Sequence, residues 1–212
     1  VTGGVTFFHV LALLKLVRAG ERPRFDMLEV VPDVWLSFEV EPLGMVFALV
    51  AGFLWPITSL YAIGYMRGHH EENQTRFFFF FAIAIAGAMG VAFSANLFTL
   101  FVFYEFLTFC TVPLVTHHQS EEAKKSGRIY LGILLTTSVG LQLVAIIWTW
   151  VLAGRLDFVD GGILAGTAST GVLGTILVLY VYGVGKAALM PFHRWLPAAM
   201  VAPTPVSALL HA

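Results

Sequence analysis

The chain has 212 residues, 58% of them hydrophobic and only 12% charged, with a formal net charge of −1. A soluble globular chain carries about 45–50% apolar and about 25% charged residues. The composition therefore excludes a soluble enzyme, a nucleic-acid binder and a disordered chain, and leaves an integral membrane protein.

Residues 3–17 are apolar apart from His9 and Lys15 and read as the tail of a membrane span. The first residue is Val1 and the last six, Ser207 to Ala212, read as the opening turns of a helix, so the expectation is a piece of a longer protein. Residues 18–41 carry nine charges and two prolines, which predicts an extramembrane connection with one short strand near 34–40. Residues 1–41 are thus the end of a helix plus a loop, and 42–212 a transmembrane bundle. A span needs about 20 mostly apolar residues, and 42–66 supplies one. The uncharged run from 77 continues past Glu105 to about 116, long enough for two spans that divide best at Ser94-Ala95-Asn96. A charged loop is expected over 117–128, a further span over 129–154, a Gly/Ser/Thr-rich loop over 161–171, and a span over 172–190 that contains Lys186. Pro191, Pro197, Pro203 and Pro205 then punctuate the chain. Loops on one side carry Arg67, Arg76, Lys124, Lys125, Arg128 and Arg194, against Arg18, Arg22, Arg24 and Arg155 on the other. The excess places the first side in the cytoplasm of a cell whose inner (plasma) membrane holds the protein.

The informative residues are the ionisable ones at depth. Glu105 is the one acidic residue inside an apolar run, and Lys15 and Lys186 are the only such bases. Lys15 lies near the end of its run and can snorkel to the interface. At about 1.5 Å per residue, Lys186 and Glu105 straddle the middle of a hydrocarbon core about 30 Å thick. Charges there cost on the order of 2.5–3.5 kcal/mol each and normally face a bundle interior or a wet path, with a partner. Two readings stay open: a structural ion pair tying two spans together, and a proton or ion relay in which the protonation of each group depends on the other. Pro191, five residues after Lys186, predicts a helix break near Met190–Pro191, because proline removes an N–H and clashes with the preceding turn. A break at membrane depth must be buried in protein or line a cavity, and discontinuous helices with adjacent charges are a transporter device.

The histidine pairs His69-His70 and His117-His118 sit at loop edges and read as surface polar residues, since adjacent histidines diverge on a helix. His193 follows the break. His211 is open between a relay member and an ordinary hydrogen-bonded residue. The single cysteine, Cys110, excludes a disulfide framework and a cysteine-built metal centre. No nucleotide, flavin or nicotinamide fingerprint appears, so no catalytic residue, metal or cofactor is assigned to the chain.

The stretch Phe103-Tyr104-Glu105-Phe106-Leu107-Thr108, and above all Val184 to Pro197 (VGKAALMPFHRWLP) followed by Ala202 to Ala212 (APTPVSALLHA), resembles the proton-translocating antiporter-like membrane subunits. That family includes subunits of NADH–quinone oxidoreductase (complex I), of Mrp-type cation/proton antiporters and of membrane-bound hydrogenases. The resemblance implies an all-α polytopic bundle with a discontinuous helix, most of the first of two inverted five-helix repeats. It implies that Glu105, Lys186 and His211 are proton-translocation residues, that Pro191 marks the helix break, and that the partners are other membrane subunits and the lipid bilayer, with no nucleic acid. The expected function is proton translocation or cation/proton antiport within a larger complex, any redox chemistry belonging to partners. The competing expectation is a structural or quinone-anchoring subunit without transport of its own.

Overall fold

The computed structural model describes residues 2–211, the side chain of His211 excepted. Helix α1 (Thr2–Arg18) leads into a hairpin of β1 (Arg24–Val31) and β2 (Val34–Glu39). Helices α2 (Pro42–Gly68), α3 (Gln74–Ala92) and α4 (Leu97–Val115) follow. Next come α5 (Glu121–Thr137), a π-helical turn (Ser138–Gln142) and α6 (Leu143–Ala153), which run on as one rod. The chain ends in α7 (Thr170–Gly183), an irregular stretch, α8 (Trp195–Ala199) and α9 (Thr204–His211). Among the described residues, four helical segments, Pro42–Gly68, Gln74–Ala92, Leu97–Val115 and Glu121–Ala153, are long and apolar enough to cross a membrane. The protein is a multi-pass membrane helix bundle.

Local chemistry sets the boundaries. The Asn96 side chain accepts a hydrogen bond from the Thr99 N–H at 2.7 Å and caps α4. Ser120 caps α5 in the same way at 3.1 Å, and Glu121 and Glu122 in the first turn complement the helix dipole. The expected division of the 77–116 run falls where the turn is found. The expected charged loop over 117–128 is shorter than the sequence suggested. Helix α5 already begins at Glu121, so Lys124 and Lys125 lie on a helix.

The connection after α1 holds two strands instead of one. β1 is exposed along its whole length, so it lacks the apolar alternation that marks a half-buried strand. β2 is stapled to the bundle: the Ser37 N–H donates to Thr99 Oγ1 at 2.9 Å, Asn96 Nδ2 donates to the Trp35 carbonyl at 2.8 Å, and the Ala95 N–H donates to the Ser37 carbonyl at 3.0 Å. Arg24 reaches Asp157 at 2.9 Å, and the Leu97 N–H reaches the Leu156 carbonyl at 3.0 Å. Hairpin, α3–α4 turn and residues 156–158 therefore form one cap on that end of the bundle.

Inside, Ala62 and Met66 of α2, Phe77, Phe81 and Ala84 of α3, Leu114 of α4, and Ala202 and Val206 make one apolar cluster. Val115, Tyr130, Leu134, Trp195 and Ala199 make a second. The second holds α8 against α4 and α5, so the segment that follows α7 folds back into the bundle. Leu43, Val46, Phe53 and Leu60 leave an apolar face of α2 outward, as lipid or a neighbouring subunit requires.

Helix α7 has 14 residues, about 21 Å at 1.5 Å per residue, too short to cross a core of about 30 Å. It stops where Gly183 lies against the π-helical turn. A Cβ added there would come within 2.6 Å of the Gln142 backbone nitrogen. Gly183→Ala should therefore force the two backbones apart and destabilise the protein by about 1–3 kcal/mol. A lowered melting midpoint in detergent checks this; an unchanged midpoint would show that the contact is not tight.

Candidate functional site in the break of helix α7

The helix breaks, but earlier than Pro191 suggested. Regular hydrogen bonding ends at Gly183, and Val184 leaves the helical region with ψ 70°. Gly185–Ala187 form a single 3₁₀ turn, and Ala188 takes the left-handed conformation at φ 52°. Lys186 thus sits inside the break, not five residues before it. Pro191 lies on the far side, ahead of a second 3₁₀ turn at Phe192–Arg194. Gly183 and Gly185, which flank Val184, are the local cause: both pack where no side chain fits, against Gln142 and Thr137.

A break inside a bilayer frees backbone groups that must find partners. Two of them do so through side chains. Trp195 Nε1 donates to the Gly185 carbonyl at 2.8 Å, and the Lys186 N–H donates to the Tyr104 hydroxyl at 3.0 Å. Trp195 is itself buried and packs edge-on against Tyr130, with ring centroids 5.6 Å apart. The Tyr130 hydroxyl is 2.7 Å from Thr111 Oγ1.

The break thereby delivers the Lys186 side chain to α4, beside the predicted acid. Its ammonium donates to the Tyr104 carbonyl at 2.8 Å and to Thr108 Oγ1 at 2.6 Å, and lies 3.6 Å from the centre of the Tyr104 ring. It makes no direct ion pair with Glu105 among the described residues. Both carboxylate oxygens of Glu105 are buried and have no hydrogen-bond partner among those residues. The two charges of the sequence reading are thus brought to the same stretch of α4, but the lysine rests on neutral acceptors. His211 lies in α9, and its side chain is outside the described residues. His193 sits in the turn after the break with Nδ1 buried. Lys15 is exposed near the end of α1.

Sequence reasoning missed Tyr104, Thr108 and Trp195. The signal for the first two was their spacing. Positions 104, 108 and 111 share one helical face, and all three are buried. The π-helical turn, which widens the α5–α6 rod beside the break, left no periodicity signal.

His117, whose place at a loop edge predicts a surface residue, is only 4% exposed. Its ring packs edge-on against Phe77, and Nε2 lies 3.7 Å from a Glu71 carboxylate oxygen that is also 3.4 Å from His118 Nδ1. Arg76 donates to the His117 carbonyl at 2.8 Å. This cluster joins the α2–α3 and α4–α5 turns.

Residues 94–212 match the family described as NADH:quinone oxidoreductase/Mrp antiporter, transmembrane. The chain belongs to that family. Residues 32–78 match the N-terminus of chain 5 of NADH-ubiquinone oxidoreductase (complex I). A Rhizobium meliloti protein named as a component of a probable K(+)/H(+) antiporter is 34% identical over 187 residues, which cover 85% of this chain and 18% of that one. The chain spans about a fifth of the length of the curated relatives it matches. Its fold is similar to a chain of the Mrp complex from Dietzia sp. DQ12-45-1b, with a TM-score of 0.78 and 22% identity over 99% of this chain and 23% of that one. It is also similar to a chain of the membrane-bound sulfane sulfur reductase, an archaeal respiratory membrane complex, with a TM-score of 0.80 and 20% identity over 98% and 43%. These two likenesses concern the fold alone. The family match includes Glu105, Lys186 and the whole break.

The turn cluster of this family member has a pH signature. Burial pushes the His117 imidazole below its ordinary 6.5, with Glu71 opposing the shift and Arg76 and His118 adding to it. Folded His117 then binds its proton at lower pH than the unfolded chain does. The unfolded state holds more protons just below pH 6.5, so stability falls as pH falls through that window. The melting midpoint should drop between about pH 7.5 and about pH 5.5, and His117→Gln should flatten that slope. An identical slope in the variant would assign the effect to other groups.

Proposed function

We propose that this chain provides a proton-handling half-path for cation/proton antiport, within one member of a larger membrane complex. The observation that carries the reading is the ammonium of Lys186, held in a helix break against α4 while the neighbouring Glu105 carboxylate stays buried and unpartnered among the described residues. A structural tie between spans would set ammonium on carboxylate. Here the acid and the base are close enough to share one helix surface yet separately held, which suits a group that takes up and passes on a proton. His211 on α9 is the third relay residue in this reading. The Rhizobium meliloti relative's name points to K⁺ or another alkali cation as the exchanged ion. The face with the α2–α3 and α4–α5 turns, which carries Arg67, Lys124 and Lys125, is the cytoplasmic one in this reading. Other membrane subunits are the partners, and any redox chemistry is theirs.

In the intact protein, Lys186→Ala should abolish antiport while subunit content stays near normal, and Lys15→Ala should leave it unchanged. Lys186→Arg should also fail, because a guanidinium keeps its proton at every working pH and cannot relay one. The measurement is cation-dependent collapse of a pH gradient in vesicles, with subunit content determined on the same membranes. Near-normal exchange by Lys186→Arg would return the residue to a structural role.

A further inference from the structure

We infer that Tyr104 and Thr108 form a carboxylate-free resting place for the Lys186 ammonium, in competition with Glu105, and are positioning residues of the relay. The inference rests on the antiport reading above and adds a second site to it. An ammonium has three N–H donors. One points to the Tyr104 carbonyl at 2.8 Å and one to Thr108 Oγ1 at 2.6 Å, and the ammonium lies over the Tyr104 ring at 3.6 Å. Thr108 accepts from the lysine and in turn donates to the Tyr104 carbonyl at 3.0 Å, so its hydroxyl is used in both directions. No carboxylate is needed to complete this set.

Glu105 follows Tyr104 and lies three positions before Thr108, a spacing that makes it a neighbour of Thr108 on the surface of α4. The ammonium nevertheless rests on the Tyr104 carbonyl and Thr108 and makes no ion pair with Glu105 among the described residues, so the neutral set and the carboxylate are alternative holders. The Tyr104 hydroxyl meanwhile holds the Lys186 backbone N–H at 3.0 Å, so the backbone stays fixed while the flexible four-carbon stem moves. Neutral acceptors make the exchange feasible. Separating a buried pair with no other acceptor leaves two uncompensated charges.

The test is antiport by the intact protein in vesicles, with Thr108→Val, Thr108→Ser, Tyr104→Phe and Lys186→Ala compared at equal subunit content. Thr108→Val removes one acceptor to a charged donor and should lower turnover about tenfold with a displaced pH optimum and an unchanged apparent KM for the cation. Thr108→Ser should restore both turnover and optimum. Tyr104→Phe keeps the ring and loses the backbone anchor, and should displace the optimum as well. Normal turnover and optimum in Thr108→Val, on membranes where Lys186→Ala is inactive, would overturn the resting place and leave the relay standing. Normal exchange by Lys186→Ala would overturn both.

Discussion

A helix cannot stop in the middle of a bilayer unless something accepts and donates the hydrogen bonds it gives up. In this protein that requirement organises the bundle. Two of the groups freed by the end of α7 are met by side chains from different elements: the Gly185 carbonyl by the indole of Trp195, and the Lys186 N–H by the phenol of Tyr104. Trp195 can reach because α8 packs with Val115, Tyr130 and Leu134. Tyr104 can reach because α4 lies alongside. The partners that keep the break from being an unsatisfied defect are the same groups that place the lysine.

The position of the charges follows from that arrangement. A lysine on a continuous helix would project at a fixed angle into whatever faced it. A lysine in a 3₁₀ turn just after two glycine-permitted contacts is carried by the turn, and here the turn aims it at a carbonyl, a hydroxyl and a ring. Glu105, one residue from that cradle, is buried without being used up. Membership of the NADH:quinone oxidoreductase/Mrp antiporter transmembrane family gives this geometry its meaning, since fold likeness alone would fit a scaffold equally well.

Much of this was legible in the residues. The span divisions were carried by charge and by the Ser94-Ala95-Asn96 turn, both local signals. Depth singled out Glu105 and Lys186. The start of the break was misplaced because proline is the loudest helix breaker, while Gly183 and Gly185 act through contacts with Gln142 and Thr137, which are distant in sequence. β1 was silent because every residue in it is exposed. His117 looks superficial in the sequence because its burial comes from Phe77 of α3 and Glu71 of the α2–α3 turn. Tyr104 and Thr108 lie inside the Phe103–Thr108 motif, but their roles depend on where the lysine lands, and tertiary packing decides that.

The cap formed by β2, Asn96 and residues 156–158 holds one end of α4, and the Glu71, Arg76 and His117 cluster holds the other, so the helix is a beam fixed at both ends. Thr108 lies twelve residues from Asn96, about 18 Å along the beam at 1.5 Å per residue. Between two fixed ends the acceptors at Tyr104 and Thr108 stand still, and the part free to swing is the four-carbon stem of the lysine. A rail anchored at both ends sets the acceptors at constant spacing, whichever of them the arm occupies.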